Sequence, residues 1–335
     1  FDEPTSSLSR PEVEHLLALI RRLQRQGVTA LYISHRLEEI FELCDTVTVL
    51  RDGEVVGSRP VGAVNRDQLV QMMIGRQLVA PPLAMHPPAP VPSLRVENFT
   101  SPGRFENVSF SVHAGEVLGV AGLVGAGRSA LLQALFGLDR RARGRVLLDG
   151  RAVRLRSPRA AMRHGLGLVP EDRKRLGLIL SLSARENISL PILPRLACCG
   201  WIRRRRERRL AEHYFRQLQV RGSGVDTPTL VLSGGNQQKV VLAKWLAARC
   251  RILLLDEPTR GVDVGAKAEI HALIRELARD GSAVLFVSSE LPEILKLADR
   301  ILVMRHGRLV AELPRDAADE ERLFRLMAGV EENRA

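Results

Sequence analysis

Gly122-Leu-Val-Gly-Ala-Gly-Arg-Ser129 is the segment that decides the fold, because of what stands on either side of it. The apolar run at 117–121 predicts a buried strand before it, and an apolar helical pattern extends from 129 to 137. A strand, a glycine-rich turn and a helix in this order are typical of a phosphate-binding loop, in which backbone N–H groups and the helix N-terminus attract phosphate oxygens. A purely structural glycine turn is the alternative. The predicted phosphate-binding residues are Gly122, Gly125, Ala126, Gly127, Arg128, Ser129 and Ala130.

Arg128 stands where the usual pattern of such a loop, G-x-x-x-x-G-K-[ST], has a lysine. A guanidinium is planar and larger than the compact ammonium group that normally lies against the β- and γ-phosphates. We therefore expect the loop to bind nucleotide with a geometry less suited to chemistry. Ser129, the next residue, is predicted to hold Mg²⁺ through its hydroxyl group.

Asp256 and Glu257 form a second candidate site at the end of the apolar run 252–255. A carboxylate at a strand end can support Mg²⁺, and the next one can orient and deprotonate the water that attacks the γ-phosphate. An acidic pair in a solvated turn is the alternative. The downstream position and the recurrence of the pair as Asp2-Glu3 favour the catalytic interpretation.

The chain repeats itself at an offset of 254 residues, since Asp2-Glu-Pro-Thr5 returns as Asp256-Glu-Pro-Thr259. No insertion or deletion interrupts the match as far as Gly75 and Gly329. A period of this length indicates two copies of a whole domain. We therefore expect residues 1–76 to be the C-terminal part of a first copy, the uncharged proline-rich segment 77–92 to be a linker, and residues 93–335 to be a complete second copy.

The second copy alternates apolar runs with helical patterns, which predicts an α/β domain with a largely parallel, helix-covered sheet. The predicted strands are 117–121, 166–169, 252–255 and 283–287, and the predicted helices are 129–137, 203–219, 237–248 and 267–279. Ligands are then expected at the strand ends.

Ser233-Gly-Gly-Asn-Gln-Gln-Lys239 precedes the helical pattern at 237–248. Free N–H groups at such a helix start can bind an anion, although an ordinary N-cap is the alternative for an isolated Ser-Gly-Gly. Its position after the phosphate loop and just before the Asp256 strand makes it similar to the signature motif of ATP-binding cassette proteins.

Taken together, the motifs resemble the second cassette of the double-cassette ATPases of bacterial monosaccharide importers of the ribose, xylose and galactose type. Its motifs are Leu168-Val-Pro-Glu-Asp-Arg-Lys174, Glu186-Asn-Ile188, Ser233 to Lys239, Asp256 to Lys267 and Val287-Ser-Ser-Glu-Leu-Pro292. The first copy matches the first cassette through Tyr32-Ile-Ser-His35 and Met72-Met-Ile-Gly-Arg76. The resemblance covers nearly the whole chain. It implies a P-loop NTPase cassette with a mostly parallel sheet, an antiparallel β subdomain and a helical subdomain, preceded by the tail of a first cassette.

The resemblance also implies a head-to-tail pair of cassettes that binds each ATP, with Mg²⁺, between the phosphate loop of one and the signature helix of the other. One site would have Glu3 as base, His35 as the switch residue and Asp2 at the metal, completed by Ser233, Gly234, Gly235 and Gln237. The other would have Glu257 as base, Asp256 and Ser129 at the metal, and Glu171 and Ser289 near the nucleotide. Asp263 and Ser9 would couple the two sites. Since Arg128 and Ser289 replace lysine and histidine, we expect this second site mainly to hold nucleotide.

The implied function is an ATPase subunit that drives monosaccharide uptake through integral-membrane permease subunits, fed by a soluble sugar-binding protein. It would lie peripherally at the cytoplasmic face of the bacterial inner membrane. A tandem-cassette factor acting on ribosomes or nucleic acid is a rival that the net charge of +12 would suit. The charge comes from 45 arginines and only five lysines spread over the chain, and aromatic residues are 4%, so no nucleic-acid partner is expected. A non-catalytic nucleotide sensor is the third possibility.

Several residues have weaker patterns. The basic run at 203–209 is expected to be a solvated helix, with contact to acidic headgroups or to the membrane subunit as the alternative. Phe99 and Phe105 could stack on adenine but are expected to be core residues. His271 and His306 have no partner pattern and are expected at the surface. The four cysteines lack the spacing of a metal-thiolate site, and no run reaches the length of a membrane-spanning helix.

Overall fold

The computed structural model describes residues 1–2, 4–5, 8, 10–34, 36–51, 53–74 and 91–330. The chain divides into two compact units, Phe1–Ala80 with Asp263–Ala268, and Pro81–Val262 with Glu269–Ala335. The predicted site residues Glu3, Ser9 and His35, and most of the predicted linker 77–92, lie outside the described residues.

The described residues of the first unit form three α-helices and an antiparallel strand pair. Its elements are α1 (Arg10–Arg25), α2 (Leu37–Leu43), β1 (Thr46–Arg51), β2 (Glu54–Pro60) and α3 (Arg66–Ile74). Two small clusters of apolar side chains form its core. Leu17, Ile20 and Leu43 are buried in one, and Leu37, Val49 and Leu69 in the other.

The second unit is built on a six-stranded sheet. The strands of the whole unit, in chain order, are β3 (Leu94–Ser101), β4 (Phe105–Val112), β5 (Val117–Gly122), β6 (Arg143–Leu148), β7 (Arg151–Val153), β8 (Leu166–Val169), β9 (Ala197–Cys198), β10 (Trp201–Ile202), β11 (Ile252–Asp256), β12 (Ala283–Val287), β13 (Arg300–Arg305) and β14 (Arg308–Pro314). The large sheet has the order β14-β13-β5-β12-β11-β8, and all its pairings are parallel except that of β13 with β14. A separate antiparallel sheet has the order β4-β3-β6-β7.

Helices connect these strands and cover the sheet. They are α4 (Arg128–Leu135), α5 (Pro158–Arg163), α6 (Ala184–Ser189), α7 (Leu193–Leu196), α8 (Arg204–Gln217), α9 (Gly234–Ala247), α10 (Val264–Arg279), α11 (Leu291–Leu297) and α12 (Glu320–Ala328). Four of them, α6 to α9, follow one another between β8 and β11 and form the helical subdomain. Strands β5, β8, β11 and β12 are buried along their whole length, as expected for parallel strands covered on both faces. The predicted α/β cassette architecture is therefore confirmed.

The offset of 254 residues extends from the sequence to the elements. Subtracting it from the bounds of α10, α11, β13, β14 and α12 returns the bounds of α1, α2, β1, β2 and α3 without a residue of difference at either end. The irregularity between Val303 and Met304 of β13 recurs between Val49 and Leu50 of β1. The parallel pairing of Asp256 with Val287 recurs as an isolated bridge between Asp2 and Ile33. The same side-chain pattern has thus produced the same local structure twice.

None of the described helices is both long and apolar enough to span a bilayer.

Phe99 and Phe105 are buried in the core of the second unit, with their ring centroids 5.5 Å apart. They are core residues, as the sequence favoured, and they are not exposed for stacking on a base.

Candidate nucleotide site

The glycine-rich loop occupies the turn between β5 and α4. Gly127 is the residue before the helix and has a left-handed backbone, with a φ of 94°. A Cβ atom at Gly127 would lie 2.8 Å from the carbonyl oxygen of Arg104, so both the conformation and the space require glycine. Gly125 is also left-handed, with a φ of 84°, but a Cβ atom there would meet nothing within 4 Å. The backbone of the loop is thus closely packed at Gly127 and has open space at Gly125.

This difference gives a matched pair of variants. Gly125→Ala should lower the free energy of unfolding by about 1–2 kcal/mol, the cost of a left-handed alanine. Gly127→Ala adds a backbone clash and should cost about 3–5 kcal/mol. Urea unfolding of both variants measures the difference, and equal losses would contradict the close approach of the Arg104 carbonyl group.

Ser129 and Asp256 meet where α4 begins and β11 ends. The Ser129 hydroxyl group donates a hydrogen bond of 2.8 Å to Oδ1 of Asp256. Burial raises the pKa of Asp256 to about 6, and the hydrogen bond from Ser129 offsets only part of that effect. The carboxylate and hydroxyl oxygens thus lie side by side, and both are the kind of donor that a hard divalent cation binds.

Arg128 points into the protein rather than out of the loop. The side chain is buried, and its Nη1 donates a hydrogen bond of 2.6 Å to the carbonyl oxygen of Ser288. Its Nη2 lies 3.7 Å from Oε1 of Glu257. Burial lowers the pKa of Arg128, while the carboxylates of Glu257 and Asp256 act in the opposite direction. The guanidinium group therefore joins the phosphate loop to the ends of β11 and β12.

Glu257 is held from two sides in a backbone conformation that is rare for its residue type. Its φ is 48°, and its N–H group donates a hydrogen bond of 3.0 Å to the carbonyl oxygen of Val287. The Ser289 hydroxyl group donates a hydrogen bond of 3.1 Å to Oε2 of the carboxylate, whose other oxygen faces Arg128. Burial raises the pKa of Glu257. Left-handed residues that are not glycine often mark functional sites, because the surrounding structure must compensate for the strain.

The signature segment begins helix α9, and its residues differ in their burial and in their hydrogen-bond partners. Ser233 is the N-cap residue, and its hydroxyl group makes no capping hydrogen bond but accepts one of 2.9 Å from Nδ2 of Asn236. Gly234 and Gly235 form the first turn of the helix. Gln237 is buried, and its Nε2 donates a hydrogen bond of 3.0 Å to the carbonyl oxygen of Thr229. The amide group of Gln237 is thus bonded inside the protein, and its contact with nucleotide stays a prediction.

Arg173 is a connecting residue whose role the sequence did not indicate. It is buried and donates hydrogen bonds of 2.6 Å and 2.9 Å to the carbonyl oxygens of Arg260 and Gly261, in the turn after Glu257. A third contact, of 3.4 Å, joins its Nε to Oε1 of Gln237. Burial lowers the pKa of Arg173. Its presence in the Leu168–Lys174 motif was the only available signal, and nothing there distinguished it from the neighbouring basic residues.

Three of the remaining residues singled out in the sequence, Glu171, Asp263 and His271, contact other residues of the chain. Glu171 forms an ion pair with Arg260. Asp263 precedes α10, and its side chain accepts a hydrogen bond of 2.8 Å from the Ala266 N–H group. His271 is buried and bonded to Glu293, so the expectation of a surface histidine is wrong, and its consequence is developed below. His306 is exposed, as expected.

The described side chains thus form two groups. One contains the phosphate loop, Asp256, Glu257, Ser288 and Ser289. The other contains the signature turn, Arg173 and the turn at 260–261. Among the described residues, no hydrogen bond or ion pair joins the signature glycines to the phosphate loop.

A glycine loop at a helix start, with a serine and a strand-end aspartate side by side, defines a P-loop nucleotide-binding protein of the ATP-binding cassette class. A family model described as "ABC transporter" matches residues 105–260. The ribose import ATP-binding protein RbsA of Geobacillus kaustophilus is 50% identical over 98% of this chain and 67% of its own length. The protein of the same name from Rhodococcus jostii is 49% identical over 99% of this chain and 66% of its own. The chain spans about two thirds of the length of these relatives.

Solved structures show the same fold. A nucleotide-free ATP-binding cassette from an ABC transporter has a TM-score of 0.59 at 23% identity, covering 71% of this chain and 95% of that one. The cbiO1 subunit of Clostridium perfringens has a TM-score of 0.58 at 22% identity, covering 70% and 93%. The chain therefore belongs to the ABC transporter family and is an ATP-binding subunit of it.

Proposed function

We propose that the chain is the larger part of an ATPase subunit that energises import of a monosaccharide through separate permease subunits. The observation that carries this proposal is the hydrogen bond of 2.8 Å between Ser129 and Asp256, beside the phosphate loop. Relatives about 50% identical are named for ribose import, which supports a sugar as the cargo. A soluble sugar-binding protein would deliver it, and the subunit would lie peripherally at the cytoplasmic face of the bacterial inner membrane.

Ser129 and Asp256 suit Mg²⁺, because a hydroxyl and a carboxylate oxygen are the hard donors that this ion binds. In the first cassette Asp2 would have the role of Asp256. Mg²⁺, when bound, would neutralise charge on the phosphate oxygens of ATP. The loop from Gly122 to Ala130 would contact those oxygens through its N–H groups.

The proposed arrangement is a pair of cassettes that share two unlike sites. The signature residues Ser233, Gly234 and Gly235 belong to a different group of contacts from the phosphate loop of the same chain, which supports their completing the site of the other cassette. That site would contain Glu3 as base and His35 at the γ-phosphate. Asp263 and Ser9 would couple the two sites, and Glu171 and Ser289 would lie near nucleotide at the Arg128 site.

The Arg128 site would mainly hold nucleotide. Its base, Glu257, faces the Arg128 guanidinium group at 3.7 Å and accepts a hydrogen bond from Ser289, so its two oxygens already have partners. Serine also lacks the ring nitrogen that His35 would direct to a γ-phosphate in the other site. This geometry is also what a non-catalytic nucleotide sensor would need, and turnover measurements distinguish the two.

A basic surface on the helical subdomain is the proposed contact with the permease or the adjoining headgroups. The short hairpin β9–β10 presents Trp201, which is 81% exposed, and is followed by the exposed arginines of the run Arg203–Arg209. Arginine and tryptophan are both common where proteins meet partners and membrane interfaces.

The test is ATP turnover by the complete subunit with its permease and the sugar-loaded binding protein. We expect stimulation of about tenfold, and no response to ribosomes. A variant with glutamate at Arg203, Arg204 and Arg205 should lose most of the stimulation and keep its basal rate. The matched control carries glutamate at the exposed Arg151, Arg154 and Arg156, and it should behave as the unmodified protein. Stimulation by ribosomes instead of permease would refute the proposal.

A further inference from the structure

Glu293, on helix α11, is a buried carboxylate with three side-chain donors. It is 3% exposed, and it accepts hydrogen bonds of 2.5 Å from the hydroxyl groups of Thr259 and Ser288 and from Nε2 of His271. Burial alone would raise the pKa of Glu293, but these hydrogen bonds hold it below its ordinary value. The carboxylate is therefore charged. A charge buried in this way is stable only while its donors remain in place.

The hydroxyl donors connect Glu293 to the two loops that carry the candidate site. Thr259 lies in the turn that follows Asp256 and Glu257. Ser288 follows β12, and its carbonyl oxygen is the acceptor for Arg128 at 2.6 Å. The next residue, Ser289, donates to Glu257. One buried carboxylate thus fixes the distance between the strand end with the acidic pair and the switch loop.

The first unit contains the same carboxylate with a different third donor. Glu39, 254 positions earlier, is 4% exposed and accepts hydrogen bonds from Ser34 at 2.9 Å, from Tyr32 at 2.7 Å and from Thr5. A longer contact of 3.5 Å joins its Oε1 to Nη1 of Arg36, whose side chain is 42% exposed. Thr5 and Ser34 correspond to Thr259 and Ser288. Burial would raise the pKa of Glu39, but its hydrogen bonds hold it below its ordinary value.

The third donor has changed its position between the copies. The residue corresponding to His271 is Leu17, and the residue corresponding to Tyr32 is Phe286, and both are buried and apolar. In the first unit the third donor is Tyr32, which corresponds to Phe286 on strand β12 of the second unit. In the second unit the third donor is His271, which lies on helix α10. The two changes compensate each other among the hydroxyl and imidazole donors, because either change alone would leave two or four of them instead of three. The 3.5 Å contact of Arg36 in the first unit is additional to these donors.

We infer that Glu293 is a positioning residue of the nucleotide site, and that His271 is the donor that keeps it aligned in place of the tyrosine used by the first unit. This inference rests on the proposed function of the site. Nε2 of His271 must carry the proton, because a charged carboxylate can only accept. Nδ1 of His271 is buried and has no hydrogen-bond partner among the described residues, so within them the ring's one polar contact is with Glu293.

The experiment transplants the arrangement of the first unit into the second. His271→Leu removes the third donor, and Phe286→Tyr in the same chain supplies a hydroxyl group seven residues before the carboxylate, as Tyr32 does for Glu39. Binding of ATP and of ADP, each with Mg²⁺, is measured by calorimetry on the full chain, together with the unfolding temperature. His306→Leu, at an exposed position, is the matched control.

His271→Leu should weaken ATP binding about tenfold and ADP binding less than threefold, because Ser289, in the loop that Ser288 begins, would stand at the γ-phosphate in the proposed site. The double variant should restore both affinities to within twofold and recover the lost unfolding temperature. Equal weakening of both nucleotides, or a double variant no better than the single one or unable to fold, would overturn the inference. An unmodified chain that binds neither nucleotide would instead refute the proposed function.

Discussion

Glu3→Gln in the complete two-cassette protein should reduce steady-state ATP turnover by about a hundredfold or more, whereas Glu257→Gln should reduce it less than about threefold. The loss of a general base typically costs 10²–10⁴ in rate. Glu257 is expected to matter less because its carboxylate already faces Arg128 at 3.7 Å and accepts a hydrogen bond from Ser289. Arg128 in turn is fixed by the Ser288 carbonyl group at 2.6 Å.

Phosphate release at saturating ATP, with permease and loaded binding protein present, is the measurement. Glu276→Gln, at an exposed position on α10, controls for the change of charge and should leave turnover unchanged. Equal losses from Glu3→Gln and Glu257→Gln would show that both sites hydrolyse ATP, and the proposed division between them would be wrong.

Asp256→Asn should make the nucleotide-free chain more stable by about 2–3 kcal/mol at pH 8. Burial raises the pKa of Asp256 to about 6 from an ordinary value of 3.8. Below about pH 4 the group is protonated in both the folded and the unfolded state, so it has no effect. Between about pH 4 and pH 6 the unfolded state releases its proton first, and the free energy of unfolding falls as pH rises. Each unit of pKa difference corresponds to 1.36 kcal/mol.

The same variant should lose magnesium-dependent ATP binding, by about a hundredfold, since the amide cannot replace a charged ligand. Denaturant unfolding between pH 4 and pH 8, followed by tryptophan fluorescence, measures the stability. Both tryptophans, Trp201 and Trp245, lie in the second unit, so the signal reports that unit.

Asp139→Asn is the control variant, and its expected change in stability has the opposite sign to that of Asp256→Asn. The hydrogen bond from Ser101 and that from the Arg141 N–H group lower the pKa of Asp139. Its charge therefore stabilises the folded state at neutral pH, and the contribution is lost as pH falls through the lowered pKa. Asp139→Asn should decrease stability at pH 8, and a decrease for Asp256→Asn as well would contradict the conclusion that burial of the Asp256 charge is unfavourable.

Much of the candidate site could be predicted from the sequence because its parts are local. A phosphate loop consists of consecutive residues between a strand and a helix, and an acidic pair at a strand end is equally contiguous. The parallel sheet then brings Ser129 and Asp256 together, since the carboxyl ends of parallel strands meet at one edge. The repeat at 254 was also evident from the residues alone.

The direction of a side chain was not predictable in the same way. Arg128 was expected to give the phosphate loop a geometry less suited to chemistry, but the sequence did not show that its side chain lies inward against Ser288 and Glu257. Gln237 was expected at nucleotide and bonds to Thr229. These outcomes depend on where the carbonyl oxygens of Ser288 and Thr229 lie in the folded chain, which the motifs themselves do not encode.

The sequence by itself determined the cassette fold, the order of its motifs and the duplication, because periodic burial and glycine turns act over a few residues. Only the tertiary structure decided that His271 and Arg173 are internal connections. Each satisfies buried acceptors that come from segments far away in the chain, and that requirement exists only once the segments have packed together.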